Sequence, residues 1–211
     1  MTDSEFDSTL IAAALQIAAD EGWRNVTVVA AARAADLPLA HARERFPGRG
    51  AILAKFGRMA DQAVLDGDPA EGSVRDQLFD LLMRRFDALQ SHRAGILALM
   101  RALPLDPGSA LLLACATRRS MRWMLQTAGV PANGLFGELR VKGLVGVWLW
   151  ALRAWEHDDS EDLTATMAAL DTALARAEQA AGWLGGPKAR SVVADDPRSD
   201  AESHGAEPDE A

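Results

Sequence analysis

The sequence contains no tyrosine and one cysteine, Cys115, among its 211 residues. That count excludes a disulfide framework and a thiolate zinc site, and it fits a reducing compartment. Threonine, valine, isoleucine and aromatics are sparse while alanine and leucine dominate, so an all-α fold is expected. Long apolar runs are missing as well. The longest, from Gly143 to Leu152, is bounded by Lys142 and Arg153 and is too short to span a bilayer. No basic leader opens the chain, because Asp3, Glu5 and Asp7 precede every basic residue. A cytoplasmic protein without stable membrane insertion is the expectation. A hydrophobic content of 49% excludes a wholly disordered or fibrous chain.

The formal net charge of −8 argues at first against nucleic acid. Its distribution argues otherwise. Residues 24–58 carry seven basic side chains (Arg24, Arg33, Arg43, Arg45, Arg49, Lys55, Arg58) against Asp36 and Glu44, a net +5. Residues 1–23, 59–185 and 186–211 are each acidic, at −5, −4 and −4.

Periodicity and turn residues divide the chain into helices. The first runs over 7–21, with Asp7 as its N-cap, Phe6 and Ile11 as a hydrophobic staple, and Gly22 as its stop. Thr27 caps a second helix ending near Ala35. Asp36-Leu37-Pro38 breaks the pattern before a short third helix from Leu39 to Arg45, itself ended by Phe46-Pro47-Gly48. A fourth helix extends from about Arg49 to Leu65. The Gly-, Pro- and charge-rich stretch 66–72 reads as a boundary, and Ser73 with Asp76 reads as a near capping box for the next helix. Further helices are expected at 92–103, 108–128, 134–156 and 160–184, followed by a disordered acidic tail over 185–211. The expected organisation is a helix-turn-helix unit over 1–66, a helical bundle over 73–184, and the tail.

Three short helices with a tight turn between the second and third have helix-turn-helix geometry. Leu39, Ala42 and Phe46 form the inward stripe of the third helix, Leu37 anchors the turn, and Ala40, His41, Arg43, Glu44 and Arg45 face outward. The segment from Thr27 to Leu53, TVVAAARAADLPLAHARERFPGRGAIL, resembles the signature of TetR-family transcriptional regulators. Ala34-Ala35, Leu37 at a valine position, Phe46-Pro47 and the preceding Gly22-Trp23 carry the resemblance. Asp36 replaces the usual turn glycine, Pro38 a capping serine, Arg43 a phosphate-binding tyrosine and Arg49 a lysine. The resemblance implies a transcriptional repressor that binds a palindromic operator in double-stranded DNA as a homodimer. Thr27, Arg43 and Arg49 would then meet phosphate, while Ala40, His41 and Arg45, flanked by Pro38 and Leu39, would reach base edges. Glu44 opposes phosphate.

In the larger part, Val141, Val145, Trp148, Leu152 and Trp155 form a stripe on one helix. Leu163, Met167, Leu170 and Leu174 begin an a/d-like seam on the last. This apolar surplus points to an isologous dimer through Trp148, Trp155, Leu163, Met167, Leu170 and Leu174, and the resemblance implies the same two helices. A pocket for a small apolar effector is expected around Phe86, Met100, Met121, Trp123, Met124 and Phe136, although helical spacing alone makes these ordinary core residues.

Catalysis finds no support, since nucleophile elbow, P-loop and paired cysteines are all missing, and no cofactor or metal is implied. His157 beside Asp158 and Asp159 reads as a solvated turn, and Cys115 as a buried small hydrophobe. A second stretch, Trp155 to Asp171, is similar to accessory proteins of ubiquinone biosynthesis. That resemblance implies an alternative in which an apolar face around Trp148, Trp150 and Trp155 takes a lipid and no DNA is bound.

Overall fold

A computed structural model describes residues 1–67 and 71–183. The expected acidic tail therefore lies outside the described residues, as does part of the boundary loop. Among the described residues the chain forms nine α-helices and no strand. They are α1 (Asp3–Glu21), α2 (Val28–Ala34), α3 (Leu39–Arg45), α4 (Arg49–Leu65), α5 (Val74–Gln90), α6 (Arg93–Ala102), α7 (Pro107–Thr127), α8 (Gly134–Glu156) and α9 (Thr164–Trp183). Short 3-10 turns occupy Trp23–Asn25 and Leu103–Leu105.

The acidic start belongs to α1, a correction to the expected cap at Asp7. Thr2 accepts from the Glu5 N–H at 3.2 Å, and the Glu5 carboxylate accepts from the Thr2 N–H at 2.6 Å. Asp3 and Glu5 in the first turn complement the positive end of the helix dipole, so the helix gains by starting early. Asp7 is thereby left to pair elsewhere. Gly22 ends α1 at φ +89°, a backbone conformation open to glycine. Asp36 makes the α2–α3 turn at φ +52°, and the Leu37 N–H closes it on the Ala32 carbonyl at 2.8 Å.

A single apolar core runs from Phe6, Trp23 and Phe46 through Phe86 to Trp155 and Leu170. The N-terminal helices sit against the rest of the chain at several points. At one of them α1 meets α6 so closely that a Cβ on Gly95 would lie 2.2 Å from the Leu15 carbonyl oxygen. At another, buried Arg85 of α5 donates to Asp61 of α4 and, at 3.1 Å, to Ser120 of α7, with its guanidinium 5.3 Å from the Trp148 ring. Removing either charge would strand the other in a low-dielectric setting, so this contact fixes how α4 lies across α5 and α7.

The seam assigned to a dimer interface faces inward. Trp148, Trp155, Leu163, Leu170 and Leu174 are all buried within the protomer, and Met167 is half-buried. The helices α8 and α9 pack on each other, and α9 also packs on α5, which uses up the a/d-like surface. Trp148 stacks on Phe86 at 4.5 Å, and the Trp155 indole donates to Gln90 at 2.9 Å. Only Trp150 of the three tryptophans expected on a lipid-facing surface is exposed. Cys115 is exposed rather than buried, because it lies on the outer face of α7 with Leu111 and Arg118. Among the described residues no single helix is long and apolar enough to cross a membrane.

Candidate nucleic-acid interface

The site is built on α2, α3 and the start of α4. Thr27 caps α2, its hydroxyl oxygen accepting from the Ala30 N–H at 3.0 Å. Ala31 and Ala32 turn into the core, and their small size lets α1 and α3 come close on either side. On α3, Ala42 and Phe46 are buried as the stripe requires. Leu39 is not. Leu37 fills the core at that end of α3, and Leu39 is left 44% exposed.

Leu39 lines an open cleft of about 420 Å³ together with Val29 of α2, the Thr27–Val28 segment, Ala42 and Phe46. Arg24, Arg43 and Arg49 line the same cleft, so it brings apolar and cationic side chains together. Gly48, the N-cap of α4, offers no capping side chain, and the chain enters that helix fully extended beside the cleft.

The basic residues separate by their partners. Arg45 turns back onto α1, where it pairs with Asp3 at 2.5 Å and holds both oxygens of Asp7 at 2.6 and 2.8 Å. Lys55 reaches the same Asp7 carboxylate at 2.6 Å while lying 4.3 Å over the Phe46 ring. Burial pushes the Asp7 carboxyl up, but hydrogen bonds from Arg45 and Lys55 outweigh it and hold the group below the usual carboxylate range. The His41 ring meets Phe6 edge-on at 4.5 Å, with its nitrogens 3.6 Å from Asp3 and 3.8 Å from Glu44. His41 and Arg45, expected at base edges, are thus engaged inside the three-helix unit.

Arg43 is exposed and donates one hydrogen bond to the Pro47 carbonyl at 2.8 Å, which leaves the rest of its guanidinium fork to solvent. Arg49 is half-buried. It donates to the Trp23 carbonyl at 3.3 Å and to Asp106 at 2.7 Å, which joins the start of α4 to the cap of α7. Hydrogen bonds from the Ser109 hydroxyl and N–H, assisted by the Arg49 charge, hold the Asp106 carboxyl below its ordinary value. Pro38, Ala40 and Thr27 are exposed beside the cleft.

Arg24 and Val29 are among the lining residues not expected from the sequence. Arg24 was visible only as one of seven bases, since nothing local fixed where the 3-10 turn would point it. Val29, 48% exposed, sits in the first turn of α2, and its outward position follows once Thr27 is known to be the cap.

The residues expected around an effector do not converge. Phe86, Met121 and Met124 are buried in the core and Met100 is half-buried, whereas Trp123 and Phe136 are 54% and 66% exposed. Arg118 and Arg122 both donate to Glu138, which binds α7 to α8. A different exposed surface does stand out. Leu135, Leu139, Gly143, Gly146, Leu149 and Trp150 share one outer face of α8. A Cβ built on Gly143 or Gly146 would meet nothing within 4 Å, so nothing within the protomer requires glycine at either position.

No family model and no curated protein sequence matches the chain. Solved structures do. A TetR transcriptional regulator from Nitrosomonas europaea is similar over 83% of this chain and 99% of its own, with a TM-score of 0.67 at 18% identity. A TetR-family transcriptional regulator from Streptomyces coelicolor is similar over 88% of this chain and 87% of its own, with a TM-score of 0.60 at 20% identity. A TetR transcriptional regulator from Rhodococcus sp. RHA1 is similar over 83% and 97%, with a TM-score of 0.59 at 15% identity. The chain therefore has the all-helical fold of these regulators, with a helix-turn-helix at its N-terminus.

Proposed function

We propose that this protein is a DNA-binding transcriptional regulator that acts as a homodimer. The observation that carries the reading is the α2–α3 cleft, lined by Leu39, Val29 and other apolar side chains together with Arg24, Arg43 and Arg49. The fold shared with TetR-family regulators supports it. Arg24 and Arg43 contact phosphate and orient the unit on the duplex, while α3 enters the major groove. Arg49 contributes field rather than a full contact, because Asp106 already takes part of its charge. The acidic remainder of the chain opposes loose association with DNA, so that docking by the cationic face is favoured over any other orientation.

Residues 1–66 act as the DNA-binding unit and residues 73–184 as the dimerising bundle. The outer face of α8 forms the isologous contact. Two exposed glycines in a helix interior cost about 1 kcal/mol each relative to alanine, and a second α8 packing across Gly143 and Gly146 supplies the close approach that accounts for them. Leu139 and Trp150 flank that crossing on either side.

Electrophoretic mobility shift with genomic fragments, repeated over a salt series, tests the function. Binding to a discrete fragment that weakens steeply with salt is the expected result. Binding to every fragment alike, or to none at low salt, overturns it. Reporter expression from the bound promoter, with and without the protein, separates repression from activation.

A further inference from the structure

On the surface that α2 and α3 offer to a groove, two of the side chains expected at base edges are engaged elsewhere. Arg45 is committed to Asp3 and Asp7, and His41 lies against Phe6 and beside Asp3. Arg43 already gives one bond to Pro47. Beside the exposed arginines, the cleft carries two exposed apolar side chains, Leu39 and Val29, with Ala40 also exposed on α3. Neither Leu39 nor Val29 is needed to seal the core, since Leu37, Ala42 and Phe46 do that beneath them.

In the major groove only one base edge presents an apolar group, the C5-methyl of thymine, and aliphatic side chains are its ordinary partners. Resting on the DNA-binding reading, we infer that this protein recognises its half-site through thymine methyl groups seated against Leu39 and Val29. The arginines around the cleft supply the charge complementarity that brings a duplex there, and its apolar side chains then discriminate among base pairs. Arg43, whose fork is only partly used, borders the cleft and suits phosphate, whereas Leu39 and Val29 offer a base edge no donor. Thymine-containing steps are therefore favoured where α3 lies deepest.

The test selects binding sites from random duplexes with the full-length protein, then rebuilds the enriched half-site with deoxyuridine in place of each thymidine. Uracil pairs identically and lacks only the methyl. Recurrent thymines are expected, with affinity falling about fourfold for each contacted methyl removed, the value of one buried methylene-sized group. In Leu39→Ala and in Val29→Ala, each verified as helical by circular dichroism, the uracil penalty at the corresponding position is expected to disappear. Equal affinity for thymine and uracil sites overturns the inference and leaves the DNA-binding reading standing. A uracil penalty that persists undiminished in both variants also overturns it, because another residue then reads the methyl. Failure to enrich any sequence overturns the DNA-binding reading itself, and the inference with it.

Discussion

The Arg45 guanidinium holds the Asp7 carboxylate by two parallel hydrogen bonds, Nε to Oδ1 at 2.6 Å and Nη2 to Oδ2 at 2.8 Å. These side chains lie 38 residues apart, one on α3 and one on α1. Lys55 of α4 completes the cluster on the same carboxylate. A helix of seven residues is not stable by itself, and this clamp is a main reason α3 has a fixed angle. Asp7→Ala leaves Lys55 without its carboxylate and Arg45 with only the exposed Asp3, and is expected to cost about 2 kcal/mol. Urea unfolding followed by circular dichroism measures it. A loss smaller than a few tenths would mean that the cluster is solvent-screened and the helix is held by packing alone.

Arg24→Ala and Arg43→Ala are expected to weaken binding to all DNA sequences similarly. Each should lower the slope of log affinity against log salt by about 1, the signature of one lost phosphate contact. Arg45→Ala should act differently, through stability first. Fluorescence anisotropy across a salt series distinguishes the two behaviours.

Gly146→Glu places a charge on the outer face of α8, where an added Cβ meets nothing within 4 Å. The protomer should keep its fold and gain helix propensity, by up to about 1 kcal/mol. If α8 forms the dimer contact, sedimentation should show monomers in place of dimers. A variant that remains dimeric would move the interface elsewhere.

Phe86 is fully buried against Trp148 and Trp155. Phe86→Ala should therefore destabilise by about 3–5 kcal/mol, as large-to-small changes of a packed core aromatic do. A residue lining an effector cavity would tolerate the change far better. Thermal unfolding of the two proteins side by side decides between them.

Asp158 begins the α8–α9 connection, accepting from the Thr166 N–H at 2.7 Å and the Thr166 hydroxyl at 2.8 Å, with Ser160 bonded to its other oxygen. Burial raises this carboxyl, but the Ser160 and Thr166 bonds outweigh it and leave it at about 2. A carboxyl depressed in the folded state contributes stability above its unfolded value and loses it as pH falls through the folded one. About 2 kcal/mol should therefore disappear between roughly pH 4 and pH 2. Asp158→Asn should flatten that part of the stability profile.

The local rules carried far in this chain. The limits of α4, the cap at Thr27, the capping box at Ser73 and the left-handed turn at Asp36 all follow from neighbouring residues, and all are present. Errors arose where partners are distant. The leucine seam of α9 has the same spacing whether it packs on its own protomer or on another, so periodicity could not say which core it enters. Arg85 shares a face with Leu81, Leu82 and Leu89 and passed unnoticed, because its partner Asp61 lies on another helix. Arg45 looked like a base reader for the same reason: an outward position on a short helix is solvent or salt bridge depending on what α1 places there.

Gly95 gives the molecule a mechanical property. With no side chain between them, the backbones of α6 and α1 are meshed like adjacent gear teeth, and a methyl group would not fit into the 2.2 Å left by the Leu15 carbonyl. A contact made between main chains cannot be absorbed by rotamer changes. Any side chain at position 95 would therefore have to push α6 away from α1, the helix whose Asp7 holds Arg45.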